Sequence, residues 1–188
     1  FTVPGVTSIS ADLHKHGMAA KGASLMLLRS KELKEKYQTF DFREWERGPY
    51  VAWTMQGTRP GGAIAAAWAT LQHLGDEGYM RCARMIMDNK KALIDGIAHI
   101  PGLTVLEPSE LSIFVTRSAD PALDIGAVSD AMGTRGWLVG RQVEPPGIHM
   151  HLNPSHERMV ADYLEDLTWA VGEARRSGAS SRNVGSTY

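Results

Sequence analysis

Two lysines and two histidines crowd together near the start of the chain, in the stretch SISADLHKHGMAAKG at positions 8–22. The ionisable side chains of this stretch are Asp12, His14, Lys15, His16 and Lys21. A lysine amine is a nucleophile only when neutral, and its ordinary pKa is about 10.4. Burial and neighbouring cations disfavour the ammonium form and lower that pKa. Lys15 is therefore a candidate Schiff-base lysine, and the alternative, which composition alone favours, is a solvated lysine at a strand end.

The elements around this cluster follow from local patterns. Residues 6–11 are rich in β-branched residues and serine and predict a strand, and Ser24–Leu28 predicts a second strand soon after it. The two strands indicate a hairpin or an adjacent pair around the lysine-bearing loop. Lys31–Tyr37 predicts a short charged helix. Residues 40–58 show no clear periodicity, and they lead into the glycine-rich sequence QGTRPGG, which predicts a loop.

The rest of the chain alternates helical and strand patterns. Helical patterns predict helices over 62–75, 77–99 and 124–136, and a last helix that Asn153-Pro154 begins. Strands are predicted over 103–106, 111–116, 137–139 and 148–152. The first part, 1–76, resembles the end of a larger sheet domain. The second, 77–176, forms a long helix and a small α+β domain, and 177–188 is rich in glycine and serine and predicts a flexible tail.

Composition excludes several classes of function. The net charge of the 188 residues is −1, which gives no electrostatic case for binding nucleic acid or an anionic membrane surface. No segment reaches the ~18 apolar residues of a membrane span. The single Cys82 excludes an intrachain disulfide and favours a reducing, cytoplasmic location. His149 and His151 lie two apart on a predicted strand without an evident third ligand, so no metal site is expected.

Three motifs resemble one enzyme family. SADLHKHGMAAKGAS is similar to the pyridoxal-phosphate lysine segment of sphingosine-1-phosphate lyases, a branch of the group II decarboxylase-like enzymes, with the pattern S-A-D-x-H-K-[YF]-G-x-x-x-K-G. GTRPGG at 57–62 resembles the G-S-R-P-G-G loop of that family, and PPGIHMHLN at 145–153 resembles a late strand segment. The matches occur in family order across nearly the whole chain.

The resemblance implies a fold class and indicates which part of that fold these residues form. It implies an α/β chain that begins inside a fold-type I (aspartate aminotransferase-like) large domain, just before the cofactor lysine. Residues 1–76 would supply the lysine loop and an interface loop of that cofactor-binding domain. Residues 77–176 would supply the long helix and the small C-terminal α+β domain.

The resemblance also implies roles for five residues. Lys15 would hold pyridoxal 5′-phosphate as a Schiff base and later move protons, and His14 would lie against the cofactor phosphate. Lys21 would lie near the substrate phosphate and take part in the reaction. Gly57 and Thr58 would reach across a homodimer interface to the phosphate of the neighbouring subunit's cofactor.

Three positions qualify this picture. Thr58 stands where the family has serine and keeps the hydroxyl group. His16 replaces an aromatic residue, which changes local packing or proton affinity. Asp12 is expected to be a structural group at the strand end, because in the family the acid that pairs with the pyridine nitrogen precedes the lysine.

The implied reaction is a retro-aldol cleavage. An aldehyde-lyase of this type would split a phosphorylated sphingoid base, or a similar amino-alcohol phosphate, into phosphoethanolamine and a long-chain aldehyde. Two alternatives remain open. One is amino-acid decarboxylation, against which Lys21 argues because a second cation suits a phosphorylated substrate. The other is an inactive fragment, since the family groups upstream of the lysine have no counterpart among these residues.

Overall fold

The computed structural model of the chain describes residues 1–37, 40–54, 56–178 and 180–181. The chain forms two compact units, Phe1–Gly78 and Tyr79–Tyr188. Among the described residues, none of the helices combines the length and apolar composition that crossing a bilayer requires.

The first unit is built from two antiparallel hairpins, a short helix and the start of a longer helix. Its strands and short helix are β1 (Ser8–Asp12), β2 (Ser24–Leu28), α1 (Lys31–Tyr37), β3 (Phe40–Phe42) and β4 (Tyr50–Ala52). β1 pairs with β2 so that Asp12 lies opposite Ser24, and β3 pairs with β4. The predictions of β2 and α1 are confirmed. The first strand begins two residues later than predicted and ends one residue later.

The segment 40–58, for which the sequence shows no clear periodicity, contains β3 and β4. Each strand has only three residues, which is too short to display an alternating pattern. Aromatic packing supports the hairpin: the ring of Tyr50 lies edge-on to Phe40, with centroids 6.0 Å apart, and edge-on to Trp45, at 5.9 Å.

The first unit buries little apolar surface. Its buried hydrophobic residues, within the described part, are Ala23 and Ala67. The large apolar side chains of its strands stay open to solvent, for example Leu25 at 42% and Met26 at 54% exposure. Local hydrogen bonds, rather than a core of its own, therefore define the shape of this unit.

Helix α2 covers Gly61–Ala98 and is interrupted at Gly75, whose backbone angles are φ 55° and ψ −173°. A positive φ of this kind is costly for any residue with a side chain, which explains the glycine. The prediction of two helices separated near this point is confirmed.

The second unit contains a four-stranded antiparallel sheet and helices. After α2 its elements are β5 (Leu103–Val105), β6 (Ile113–Ser118), α3 (Ile125–Thr134), β7 (Gly140–Gln142), β8 (Gly147–His151), a 3₁₀ helix (Pro154–Met159) and α4 (Val160–Ser177). The strand order is β5-β6-β8-β7. Asn153 caps the 3₁₀ helix that leads into α4, because its side chain accepts from the Ser155 amide at 2.9 Å.

The strand predicted over 137–139 is wrong, because β7 begins only at Gly140. Trp137 instead packs against α4. Its indole donates to Asp166 Oδ2 at 2.7 Å, and its ring lies edge-on to Tyr163, with centroids 5.2 Å apart. The apolar side chains in this segment reflect packing between a loop and a helix.

The second unit has a continuous core. Its fully buried side chains come from α2, α3, α4, β6 and β8 and from the residue after β8: Leu93, Ile97, Thr116, Val128, Met132, Ile148, Leu152, Tyr163 and Leu167. One lysine is enclosed with them. Lys90 is only 4% exposed, and its ammonium donates to the carbonyl oxygens of Ser109 and Leu111, each at 2.5 Å.

The segment after α4 is held at Ser181. The Ser181 amide donates to Asp124 Oδ2 at 2.7 Å, and its hydroxyl donates to Asp130 at 3.1 Å and accepts from Arg141 at 2.8 Å. Gly126 makes room for it, since a Cβ there would lie 2.5 Å from the Ser181 Cβ. Residues 179 and 182–188 of the predicted flexible tail lie outside the described residues.

Candidate active site

The connection between β1 and β2 folds into a tight turn that presents Lys15. Three backbone hydrogen bonds close it: the Lys15 amide donates to Asp12 (3.3 Å), Met18 to Lys15 (3.0 Å) and Ala19 to Leu13 (2.9 Å). Met18 has a left-handed φ of 54°. The position of the lysine is therefore set by the local backbone.

Gly17 is required by this turn. A Cβ at Gly17 would lie 2.4 Å from the carbonyl oxygen of Leu13 and 2.7 Å from its Cα. These are backbone atoms, which cannot rotate away as a side chain can. The HKHG segment can thus close the turn only because its last residue has no side chain.

Lys15 is paired with an acid that the hairpin positions. Its Nζ lies 2.6 Å from Asp12 Oδ2, and the Ser24 hydroxyl donates to Asp12 Oδ1 at 2.7 Å. The hydrogen bond from Lys15, and then that from Ser24, hold the pKa of Asp12 below its usual range. Asp12 thus ends β1, as expected, and is also the ion-pair partner of Lys15.

Sequence reasoning did not identify Ser24 as part of this arrangement. Asp12 and Ser24 are cross-strand partners separated by twelve residues. Their pairing depends on the register of the hairpin, which no local pattern states. The available signal was a serine at the first position of the second predicted strand.

His14 carries an unsatisfied polar atom in the same turn. Its Nδ1 is buried and has no hydrogen-bond partner within the part of the chain that the structure describes. Leaving a buried polar group unpaired costs about 1–3 kcal/mol, so a ligand atom that pairs with it would be stabilised there. Pyridoxal phosphate has an aldehyde that an amine can attack and phosphate oxygens that accept from an imidazole N–H. Lys15 and His14 fit that group.

Lys21 lies exposed at the far end of the same turn. The next residue, Gly22, has φ 113°, and a Cβ on it would lie 3.0 Å from the Ala63 Cβ at the start of α2. The structure therefore brings Lys15, His14 and Lys21 into one connection.

Gly57 and Thr58 belong to a separate connection, between β4 and α2. Gly57 is half-buried with φ 70°, and Thr58 is exposed. The Gly57 amide donates to the Thr54 carbonyl at 3.5 Å. Thr58 is therefore accessible in this loop, as a contact with another subunit would require.

A cavity of about 420 Å³ lies beside this loop in the first unit. Lys34 stands over the ring of Trp53, 4.3 Å from its centroid. Cationic and apolar groups together suit a ligand with an anionic end and an apolar part. The lining residues are Met26, Leu28, Ser30, Lys31, Lys34, Trp53, Thr54 and Arg59.

His149 and His151 lie on β8 and line a different cavity, of about 430 Å³, together with His156. Among the described residues, no group of three or more His, Cys, Asp or Glu side chains is arranged to hold a metal ion. These histidines are thus part of a mixed aromatic and polar surface.

Comparison with known proteins adds relatives by sequence. No protein-family model matches the chain. The chain is 41% identical over 171 residues to the sphingosine-1-phosphate lyase of Arabidopsis thaliana, covering 91% of this chain and 31% of that protein. It is 35% identical over 191 residues to sphingosine-1-phosphate lyase 1 of Rattus norvegicus, covering 100% of this chain and 33% of that protein. A probable L-tyrosine/L-aspartate decarboxylase of Methanothermobacter thermautotrophicus is 32% identical over 172 residues, covering 89% of this chain and 45% of that protein.

Solved structures give the same relationship and the fold. The sphingosine-1-phosphate lyase of Burkholderia pseudomallei matches with a TM-score of 0.86 and 36% identity, over 92% of this chain and 39% of that chain. Glutamate decarboxylase of Lactobacillus brevis matches with a TM-score of 0.75 at 19% identity, over 91% of this chain and 41% of that chain. At this identity the match shows the fold alone. The expected fold-type I class is confirmed. The chain spans about a third of the length of the first two curated relatives that it matches.

Proposed function

We propose, from the premise that this chain is a relative of the sphingosine-1-phosphate lyases over nearly its whole length, that the complete protein is a pyridoxal-phosphate-dependent aldehyde-lyase. Because the chain spans about a third of those relatives, the activity is proposed for the whole protein and not for these residues alone. The observation that carries the proposal is the turn that presents Lys15 next in sequence to His14, whose buried Nδ1 has no hydrogen-bond partner among the described residues.

Each side chain of the turn has a defined task in this proposal. Lys15 offers its amine to the cofactor aldehyde, and His14 donates to a cofactor phosphate oxygen. Lys21, a flexible and exposed cation, binds the phosphate of the substrate. When bound, pyridoxal phosphate supplies a conjugated electron sink beside the bond that breaks. The substrate is a phosphorylated sphingoid base or a similar amino-alcohol phosphate, and the products are phosphoethanolamine and a long-chain aldehyde.

The lysine assignment is tested by chemical trapping. The complete protein, treated with pyridoxal phosphate and borohydride and then digested, is expected to carry the reduced label on the peptide containing Lys15. Lys15→Ala should abolish the label, whereas Lys36→Ala, which removes an exposed lysine of α1, should leave it in place. A label that persists on another lysine in the Lys15→Ala protein would contradict the assignment.

The choice of reaction is tested with substrates. The relationship to a probable amino-acid decarboxylase makes decarboxylation the second candidate. We expect turnover of a phosphorylated sphingoid base with release of aldehyde, and none of tyrosine, aspartate or glutamate with release of carbon dioxide. Lys21→Met should raise the KM for the phosphorylated substrate, because one cation is lost. Decarboxylation without aldehyde release would reverse the order of the two candidates.

A homodimer is part of the proposal. The loop containing Gly57 and Thr58 would serve the cofactor of the neighbouring subunit, with the Thr58 hydroxyl donating to its phosphate. Thr58→Val keeps the side-chain volume and is expected to loosen the cofactor by about 1–3 kcal/mol.

Mixed dimers decide the interface role. When a Thr58→Val subunit is combined with a Lys15→Ala subunit, a cross-subunit role places both lesions in one site and leaves the other site intact. Activity should then return in the mixture. No recovery, with subunit exchange confirmed by mass, would show that Thr58 does not act across the interface.

A further inference from the structure

Three side chains form a continuous chain of contacts at the base of the lysine turn. The Ser24 hydroxyl donates to one oxygen of Asp12 at 2.7 Å, and the other oxygen lies 2.6 Å from the Lys15 ammonium. Asp12 and Ser24 face each other as the last cross-strand pair of the hairpin. Both carboxylate oxygens are therefore engaged, and the carboxylate has one defined orientation relative to Lys15.

Stability of the fold does not account for this arrangement. Lys15 is 56% exposed and Asp12 32% exposed in the pair, and exposed ion pairs contribute little to folding because water screens them. A lysine has a flexible four-carbon stem, so a fixed carboxylate has a clearer effect on the position of its amine than on the stability of the chain.

We infer that Asp12, oriented by Ser24, is a positioning residue that holds the Lys15 ammonium in place until the cofactor aldehyde is bound, and that it thereby sets the pH at which Lys15 captures the cofactor. This inference rests on the proposed function. It assigns Asp12 and Ser24 a role in cofactor capture, in addition to their structural role at the ends of β1 and β2.

The charged groups of the described elements next to Lys15 indicate the direction of the effect. Asp12 is the acid of β1, and His14, His16 and Lys21 are the ionisable groups of the turn itself. The facing end of β2 contributes Ser24, which is neutral. The start of α2, which approaches Gly22, has the sequence GGAIAAA and no ionisable residue. The Asp12 carboxylate, 2.6 Å from the Lys15 ammonium, thus favours the ammonium form.

Capture requires the ammonium to lose its proton first. The proton passes to solvent, the neutral amine adds to the aldehyde carbon, and water leaves as the carbon–nitrogen double bond forms. A carboxylate that stabilises the ammonium raises the pH at which this sequence runs. Removing the carboxylate charge lowers that pH.

The experiment uses the complete protein stripped of cofactor. Pyridoxal phosphate is added at one fixed concentration across a pH series, borohydride is added after a short interval, and the label on the Lys15 peptide is quantified. Asp12→Asn keeps the shape of the side chain and is expected to move the midpoint of capture to lower pH by about 1 unit. Ser24→Ala, which frees the carboxylate to rotate, should move it in the same direction by less.

The matched control is Asp41→Asn. Asp41 is another acid of the first unit whose carboxylate forms an ion pair, with Arg43 at 2.7 Å, and it lies on β3. Its replacement removes the same charge from the protein and should leave the midpoint of capture unchanged.

The outcomes separate the two proposals. A midpoint unchanged in Asp12→Asn, with the label still on Lys15, overturns the role of Asp12 and leaves the proposed function standing. An equal shift in Asp41→Asn also overturns it, since any lost charge would then suffice. If Asp12→Asn does not fold, an unchanged midpoint in Ser24→Ala overturns the inference. Absence of the label from Lys15 in the unaltered protein overturns the proposed function itself.

Discussion

The two units of the chain hold their shape by different means. In the second unit, side chains from three helices and two strands are fully buried against one another, including Leu93, Met132 and Leu167. In the first unit, the hydrophobic residues that are buried, within the described part, are Ala23 and Ala67. The candidate chemistry nevertheless lies in the first unit, on Lys15 and His14.

Among the described residues of the first unit, the geometry around Lys15 comes from local contacts and not from buried apolar side chains. The turn around Lys15 is fixed by backbone hydrogen bonds, by the closeness of Gly17 to Leu13 and by hairpin register. Such determinants act over a few residues and leave apolar strand faces open. Substitutions should therefore affect stability in the second unit and cofactor capture in the first.

The largest expected difference concerns a matched pair of leucines. Leu167→Ala empties a fully buried position of α4 and should lower the free energy of unfolding by about 2–5 kcal/mol. Leu25→Ala, at a position of β2 that is 42% exposed, should cost under about 1 kcal/mol. Urea titration followed by circular dichroism measures both. Equal losses for the two variants would remove the contrast between the units.

The next effect concerns Gly17 in the lysine turn. Gly17→Ala places a Cβ 2.4 Å from the Leu13 carbonyl oxygen, so the turn must open and displace Lys15. A displacement of about 1 Å can slow a positioned reaction roughly 100-fold, and we expect a loss of that order in the rate of cofactor capture by the complete protein. The urea midpoint should change little. Unaltered capture would show that the turn does not position the lysine.

Two glycines of the second unit should respond with opposite signs. In Gly147→Ala the new Cβ would lie 2.4 Å from Val115 Cγ1 and 2.9 Å from the Thr116 carbonyl oxygen, which should cost about 1–3 kcal/mol of folding free energy. In Gly133→Ala, on α3, nothing lies within 4 Å, and the variant should gain roughly 0.5–1 kcal/mol. Thermal unfolding of the two variants gives the signs, and a loss at Gly133 would contradict the packing described for α3.

The smallest effect is a dependence on pH at Asp166. The indole of Trp137 and then the guanidinium of Arg135 hold the pKa of Asp166 below its usual range. A folded-state pKa below the unfolded value contributes stability that is present above the unfolded value and lost as the pH falls through the folded one. As the pH falls below about 4, the free energy of unfolding should therefore decrease less in Asp166→Asn than in the unaltered chain. Urea titrations at pH 7 and pH 3 test this, with Asp162→Asn, an exposed acid of the same helix, as control.

Local patterns predicted part of the fold. Ser24–Leu28, Lys31–Tyr37 and the break in α2 are encoded by residue types and glycine within a few positions, and the structure has them. The hairpin of β3 and β4 was missed because three-residue strands carry no period. The strand predicted over 137–139 does not form, because the contacts of Trp137 are tertiary ones with Tyr163 and Asp166.

The candidate site divides in the same way. Lys15, His14 and Lys21 were identified from a motif, and they occupy one turn. The contact of Asp12 with Lys15 and Ser24 depends on hairpin register, and the seat of Ser181 against Asp124 and Asp130 joins residues more than fifty positions apart. Contacts of this kind form only when the chain is folded, and no local sequence pattern predicts them.

The enclosed Lys90 can serve as an internal reference in experiments that measure the reactivity of the other lysines. Its ammonium is occupied by two carbonyl oxygens and is almost inaccessible, so an acylating reagent can reach it only when the surrounding structure opens. Under conditions where opening and closing are fast, the rate of its acylation reports the free energy of that opening. A single mass-spectrometric time course can therefore record the reactivity of Lys15 and the integrity of the second unit in the same sample.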